Sequence, residues 1–254
     1  MGIERLGPRQ VAKMRAAGRV AAETLAAVGA ALRPGMSTAD IDRLVRADTA
    51  RRGARPSQLG YHGFPAAVCT SRNEVVCHGI PREDEHLEEG DLVSVDVTSE
   101  LGGWHGDNCA SFALGALSAE RAHLLDVGRR CRDAGIAALR DGVRLGDVGA
   151  AIEALARREG CSVVRDYGGH GIGRAMHLPP HVAHVGPAGR GRRLRAGMAL
   201  TVEPMIVLGD DPTVVVDADG WTVRTRSGAP CVQFEHTVLV TREGAEILTR
   251  ARSV

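Results

Sequence analysis

Gly90-Asp91-Leu92-Val93-Ser94-Val95-Asp96 and Gly197-Met198-Ala199-Leu200-Thr201-Val202-Glu203 are one pattern written twice. Each opens on glycine, runs through residues that suit a buried strand, and ends on an acid. The spacing is 197 − 90 = 107 residues, and it recurs elsewhere. Gly35 matches Gly142, Asp40-Ile41 matches Asp147-Val148, and Gly53 matches Gly160. Ungapped matches at one offset point to an internal duplication, roughly residues 8–115 and 118–249.

Each half follows the same plan. A stretch rich in Ala, Leu and Arg with helical spacing opens it, Gln10 to Leu32 or Arg121 to Leu139. A glycine turn and a second helix follow, Thr38 to Arg52 or Leu145 to Glu159, and then segments with β character broken by Gly and Pro. Helices grouped before strands predict an α+β fold with a mainly antiparallel sheet. No Pro/Ser-rich linker separates the halves, so residues 1–254 are expected to form a single domain with pseudo-twofold symmetry and a cleft between its related sheets.

Acids stand where this pattern calls for apolar residues. Asp96 lies in the 92–97 strand, Glu203 ends the 199–203 strand, and Glu235 interrupts Cys231 to Val240. Removing an ionised carboxylate from water costs several kcal/mol, of order, unless a cation or hydrogen bonds compensate. One such acid reads as a structural ion pair; three, two of them at equivalent places, favour metal coordination. Asp107 follows Asp96 across Gly102-Gly103, a hairpin that can put both side chains on one face. Glu203 and Glu235 flank an expected β arm built from Val214-Val215-Val216 and Trp221-Thr222-Val223. His170, in Tyr167-Gly168-Gly169-His170-Gly171-Ile172-Gly173, reads in isolation as an exposed histidine in a glycine-rich turn; beside four acids it reads as a fifth ligand. Four carboxylates and an imidazole suit two divalent cations (Mn, Fe, Co or Zn) roughly 3.5–4 Å apart.

Composition sets the background. The 254 residues suffice for a substantial core, and 44% apolar with 25% charged is the balance of a soluble globular chain. A net charge of +1 gives no bulk argument for DNA or a membrane as partner. Met1 to Leu6 carry no secretory pattern, no run approaches the roughly 20 apolar residues of a membrane span, and a cytoplasmic location is expected. Cys69, Cys77, Cys109, Cys131, Cys161 and Cys231 are scattered and read as reduced core thiols.

The segments 60–81 (GYHGFPAAVCTSRNEVVCHGIP), 90–98 (GDLVSVDVT), 105–107 (HGD), 169–177 (GHGIGRAMH), 201–204 (TVEP) and 233–237 (QFEHT) resemble type I methionine aminopeptidases. The likeness runs in order from about residue 8 to 249. It implies the pita-bread fold, a curved sheet with helices outside, and removal of the initiator methionine from nascent proteins and peptides with a small second residue. It also implies that Asp96 chelates one metal, Asp107 and Glu235 bridge the pair, and His170 and Glu203 complete the coordination of the second metal. In this family a metal-bound hydroxide attacks the scissile carbonyl. The resemblance makes Glu203 the proton shuttle, His78 a hydrogen-bonding partner of the substrate backbone and leaving nitrogen, and His177 the group that polarises the carbonyl. Seven residues separate His170 and His177, the pitch of two helical turns, but the nearby glycines and Pro179-Pro180 argue against a helix.

By the same resemblance Tyr61, Phe64, Cys69 and Trp221 wall the methionine pocket. Three positions depart from the bacterial pattern: Met176 stands for Phe, Gln58 for Cys and Phe64 for Tyr. The form implied is the short bacterial one, with no zinc-binding extension ahead of it and no long helical insertion, acting as a monomer. A monovalent cation on carbonyls around Asn73 and Val75, with Cys231 third, is a family feature. His62, His105 and His236 are expected in structural roles, and His86, His123, His181 and His184 on the surface. The basic run Arg190 to Arg195 is either a solvated loop or a transient ribosome contact. Rival readings are a proline-directed aminopeptidase, which usually adds an N-terminal domain, and a non-catalytic, ribosome-binding protein of the same fold.

Overall fold

A computed structural model describes residues 3–251; Met1 and Gly2, where the reading for a leader begins, lie outside the described residues. The four expected helices are present: α1 (Pro8–Ala31), α2 (Thr38–Arg51), α3 (Ala119–Ala137) and α4 (Leu145–Arg158). Local chemistry starts each one. Pro8 fits the first turn of α1, where no amide donor is needed, and the Gln10 side chain accepts the Gly7 N–H at 2.8 Å. Ser37 and Asp40 cap α2 reciprocally, Asp40 N–H to Ser37 Oγ at 3.1 Å and Ser37 N–H to Asp40 Oδ2 at 2.9 Å. Asp147 holds the Arg144 N–H at 2.9 Å at the start of α4, the counterpart position 107 residues on.

The offset reappears in the backbone hydrogen bonds. Gly35 N–H donates to Leu87 O at 2.8 Å and Gly142 N–H to Leu194 O at 3.0 Å. Thr38 N–H donates to Glu85 O at 2.9 Å, and Leu145 N–H to Arg192 O at 3.0 Å. Gly35 and Gly142 share a left-handed conformation, φ +88° and +85°.

In the first half, β1 (Arg55–Pro56), β2 (Cys69–Arg72) and β3 (Val75–Cys77) precede a long hairpin, β4 (Leu92–Leu101) and β5 (Trp104–Ala113). β5 takes one edge of β4, and β1 and β2 share the other. The second half carries β6 (Cys161–Val163), β7 (Gly169–Gly171), β8 (Leu178–Val182), β9 (Ala199–Val202) and β10 (Met205–Leu208). The expected arm, β11 (Val214–Val216) and β12 (Val223–Thr225), reaches across to pair with β3 of the first half. The chain closes with β13 (Cys231–Gln233), β14 (His236–Val240) and β15 (Ala245–Ile247). Every strand pairing among the described residues is antiparallel.

Here the structure corrects one strand: residues 231–240 read as continuous, yet β13 ends before Phe234-Glu235 and β14 begins at His236, while β9 ends at Val202, one residue short of the expected Glu203. Pro204 has no N–H to extend the ladder. The Glu235 N–H turns away to Cys109 O of β5, at 2.8 Å. β5 is in fact the seam between halves: Thr237 Oγ1 accepts the Asp107 N–H and donates to Asp107 O, both at 2.9 Å, and Ser111 Oγ bridges Gln233 N and O.

Apolar side chains of α1 and α2 pack on β4, where Val93, Val95 and Val97 are buried. Those of α3 and α4 pack on the second half's strands around Leu200, Val202 and Ile206. A methyl group added at Gly35 or Gly142 would meet nothing within 4 Å, so only the left-handed backbone resists a side chain. Gly35→Ala and Gly142→Ala should therefore each lower unfolding free energy in urea by about 1–2 kcal/mol, and by nearly the same amount. A large inequality would contradict the structural equivalence of the two turns.

Candidate metal centre

In the β4–β5 ladder Asp107 lies opposite Thr98, and Asp96 opposite Cys109. The two aspartates are thus diagonal neighbours on one face. Thr98 Oγ1 donates to Asp107 Oδ1 at 2.7 Å. From the second half, Glu203 leaves the end of β9 and Glu235 stands at the break between β13 and β14. One hydroxyl keys two of the groups together: Thr201 Oγ1 accepts the His170 N–H at 2.8 Å and donates to Glu203 Oε1 at 2.6 Å. Gln233 Nε2 donates to Glu203 Oε2 at 3.3 Å.

His170 Nδ1 lies 3.0 Å from Gly171 O, so this nitrogen carries the proton. Nε2 is left with its lone pair, 3.5 Å from Glu203 Oε1 and 3.7 Å from Asp107 Oδ2. Burial, and then His177, hold the ring neutral, its pKa lowered to about 3. The carboxyls move the other way. Burial, then the charge of Asp107, raises Glu203 to about 8, and burial raises Asp107 to about 6 against hydrogen bonds from Thr98 and Asp96. Asp96 and Glu235 lie well above the usual carboxylate range, through burial and then their acidic neighbours.

Two shielded oxygens, Asp96 Oδ1 and Glu235 Oε1, have no hydrogen-bond partner. Orphaned acceptors among crowded acids and an imidazole lone pair form a donor set that fits divalent cations. One ligand atom each from Asp107, His170 and Glu235 lies within 4.8 Å of the others. Asp96 stands in hydrogen-bonding reach of Asp107, and Glu203 completes the five.

A cavity of about 480 Å³ opens onto this group, and the four expected wall residues line it. Phe64 and Trp221 meet edge to face at 5.1 Å. His78 sits on the wall with φ +55°, edge-on to Tyr167, and burial lowers its pKa to about 4. His177 also lines the cavity, its ring centroid 4.2 Å from that of His170; β7 and β8 flank this stretch rather than a helix. Of the departures, Met176 and Phe64 are buried wall residues. Gln58 does more: its Nε2 donates to Asp96 O at 2.9 Å and its Oε1 accepts from Thr98 N–H at 3.3 Å. The amide acts as a surrogate peptide, filling the gap on the β4 edge between the β1 and β2 pairings.

His184 corrects an expectation. Expected on the surface, it is 1% exposed, and its Nε2 accepts the Glu203 N–H at 3.2 Å. A ring nitrogen can satisfy the amide that the broken strand leaves free. His181 is exposed as expected but lines the cavity, opposite His170 in the β7–β8 pair. His86 and His123 are exposed. His105 and His236 bond Ser57 and Thr249, at 2.8 and 2.9 Å. His62 is exposed, stacked edge-on to Tyr61. All six cysteines are free and buried. Asn73 O, named for a monovalent cation, accepts the Cys231 N–H at 2.8 Å. Sequence reading missed Tyr167, Met205 and Thr201; Thr201 alone had a signal, two residues before Glu203 on the same strand face.

The model of metallopeptidase family M24 matches residues 12–242. Methionine aminopeptidase A of Synechocystis sp. is 44% identical over 247 residues, 97% of each chain. Methionine aminopeptidase 1 of Mycobacterium tuberculosis is 48% identical over 242 residues, 93% of this chain and 91% of its own. The crystal structure of methionine aminopeptidase from Rickettsia prowazekii superposes with a TM-score of 0.96 at 42% identity, covering 98% of this chain and 100% of that one. An Xaa-Pro dipeptidase from Bacillus anthracis gives 0.78 at 20% identity, over 98% of this chain and 63% of its own, a likeness of fold alone.

The raised carboxyls have a thermodynamic consequence. In the metal-free chain the folded state holds protons that the unfolded state releases above about pH 4. Their stabilising effect is complete below that pH and is lost as pH rises through about 6 for Asp107 and about 8 for Glu203. Divalent cations remove the resulting repulsion, so the rise in Tm on adding metal should grow from pH 5 to pH 8. Scanning calorimetry of loaded and metal-free protein at each pH checks this, because the buried histidines contribute to both forms. A pH-independent difference would contradict it.

Proposed function

The chain belongs to the methionine aminopeptidases of metallopeptidase family M24, and from that membership we propose how its residues remove an N-terminal methionine. Asp96, Asp107, His170, Glu203 and Glu235 would hold two divalent ions of the Co, Mn, Fe or Zn type. When bound, such ions lower the pKa of a water and act as Lewis acids toward a carbonyl. The chain's own groups do the rest. Glu203 takes the proton of the attacking water and returns one to the leaving amine. His177 donates a hydrogen bond to the carbonyl oxygen, and His78 holds the leaving nitrogen. Tyr61, Phe64, Cys69 and Trp221 enclose an unbranched thioether and exclude water, and a small second residue passes the rim.

One observation carries this reading: Asp96, Asp107 and Glu203, acids from both halves, line an aromatic-walled cavity, and within their cluster Asp96 and Glu235 each keep an unpartnered oxygen. A non-catalytic relative of the fold would have no need of all five donors, and the proline-directed peptidase shares the fold only. We further propose that the whole chain works as one catalytic unit, a cytoplasmic monomer. No helix of the described residues is long and apolar enough to cross a membrane. The Arg190–Arg195 loop is pinned to the start of α4 by Gly146 N–H to Arg190 O and Leu145 N–H to Arg192 O, both at 3.0 Å, and Arg190, Arg192, Arg193 and Arg195 are exposed. Such a fixed basic surface suits a transient, salt-sensitive contact with ribosomal RNA.

The test is hydrolysis of Met-Ala-Ser beside an Ala-Pro peptide, by metal-free and reconstituted protein. Methionine should be released only with divalent metal, the Ala-Pro peptide should stay intact, and Glu203→Gln should lower kcat by at least about 100-fold. Activity without metal, or preferential cleavage before proline, would overturn the proposal.

A further inference from the structure

Tyr61 was expected as a wall of the pocket, but its hydroxyl does something a wall does not require. The phenol oxygen lies 2.8 Å from Nδ1 of His177, with ring centroids 5.1 Å apart. The bond crosses from the first half to the second. Tyr61 is delivered by a tight loop in which Gly60, His62 and Gly63 all have positive φ, at +79°, +48° and +90°. Tyr61 N–H donates to Gln58 O at 3.0 Å, Gly60 N–H to Phe64 O at 2.9 Å, and Phe64 N–H to Tyr61 O at 2.9 Å. Phe64, buried against Trp221, anchors the far end. A left-handed histidine in a loop so tied is a conformation held by its surroundings.

A neutral imidazole has one N–H, and the partner of one nitrogen decides the state of the other. If the tyrosine hydroxyl donates to Nδ1, the ring proton sits on Nε2, free to donate to a carbonyl oxygen. With the bond reversed, Nε2 would present a lone pair that repels that oxygen. We propose that Tyr61 is a positioning residue for the reaction: its hydroxyl donates to His177 Nδ1, fixing the ring's orientation and its Nε2–H tautomer toward the substrate carbonyl. This rests on the role given to His177 above. A specificity wall and a tautomer lock are separable, because the ring serves the first and the hydroxyl the second.

The experiment compares the metal-loaded wild type with Tyr61→Phe and Tyr61→Leu, using Met-Ala-Ser hydrolysis and 15N spectra of histidine-labelled protein. In the wild type, His177 Nδ1 should resonate as an unprotonated, hydrogen-bonded nitrogen and Nε2 as the protonated one. Tyr61→Phe, which keeps the ring, should lose the hydrogen-bond shift at Nδ1 and lower kcat about tenfold, the rate equivalent of one hydrogen bond, while KM stays within about twofold. Tyr61→Leu should in addition raise KM. A proton on Nδ1 in the wild type, or an unchanged kcat in Tyr61→Phe, would overturn the proposal. Failure of the wild type to release methionine would instead remove the reading of the site, and the spectra would still report on the hydroxyl.

Discussion

Crowding of like charge out of water is the constraint that organises this molecule. Asp107, Glu203 and Glu235 are buried and Asp96 is half-buried; burial raises all four carboxyls, and the neighbouring acids raise Asp96, Glu203 and Glu235 further. No Arg or Lys forms a salt bridge with any of them among the described residues. Their hydrogen bonds come from neutral groups, among them the side chains of Thr98, Thr201 and Gln233. Such a cluster is tolerable protonated or with cations bound, and membership of a metallopeptidase family favours the second state.

The duplicated chain supplies the geometry. Each half lays two helices over its strands and delivers two acids, but the halves solve the delivery differently. The first uses an unbroken hairpin whose pleat aligns Asp96 and Asp107. The second breaks its strands at the acids, and the freed backbone groups find partners elsewhere: Glu203 N–H on His184, Glu235 N–H on Cys109 O. That second bond, with the Thr237 hydroxyl on Asp107, ties the halves together where the charges meet. Cohesion of the seam and placement of the acids are therefore one set of contacts.

Much of this was legible in the residues. Helical periodicity placed α1 to α4 to within a few residues, because amphipathic spacing and the turn glycines act locally. The acids were conspicuous because a carboxylate in apolar surroundings needs a compensating partner, and the sequence brought four such acids together. The strand breaks were hidden, since Val202-Glu203-Pro204-Met205 and Gln233-Phe234-Glu235-His236 keep their β-forming composition across the break, and Pro204 was the only local hint. His184 was misjudged for a related reason: its burial depends on an amide made available by a break 19 residues away. Gln58 read only as a departure from the bacterial pattern, and its use as a substitute peptide required knowing that β1 and β2 leave a gap on β4.

The claim beneath all of this is that cations, and not protons, neutralise the acids at neutral pH. Metal content per chain, measured by mass spectrometry after equilibration with a divalent ion at pH 7, tests it directly for the wild type and for Asp107→Asn and Glu235→Gln. The account predicts two ions per wild-type chain and a loss in both variants, because each removes one of the proposed ligands. A wild-type protein that retains none, or variants that hold as much as the wild type, would contradict it.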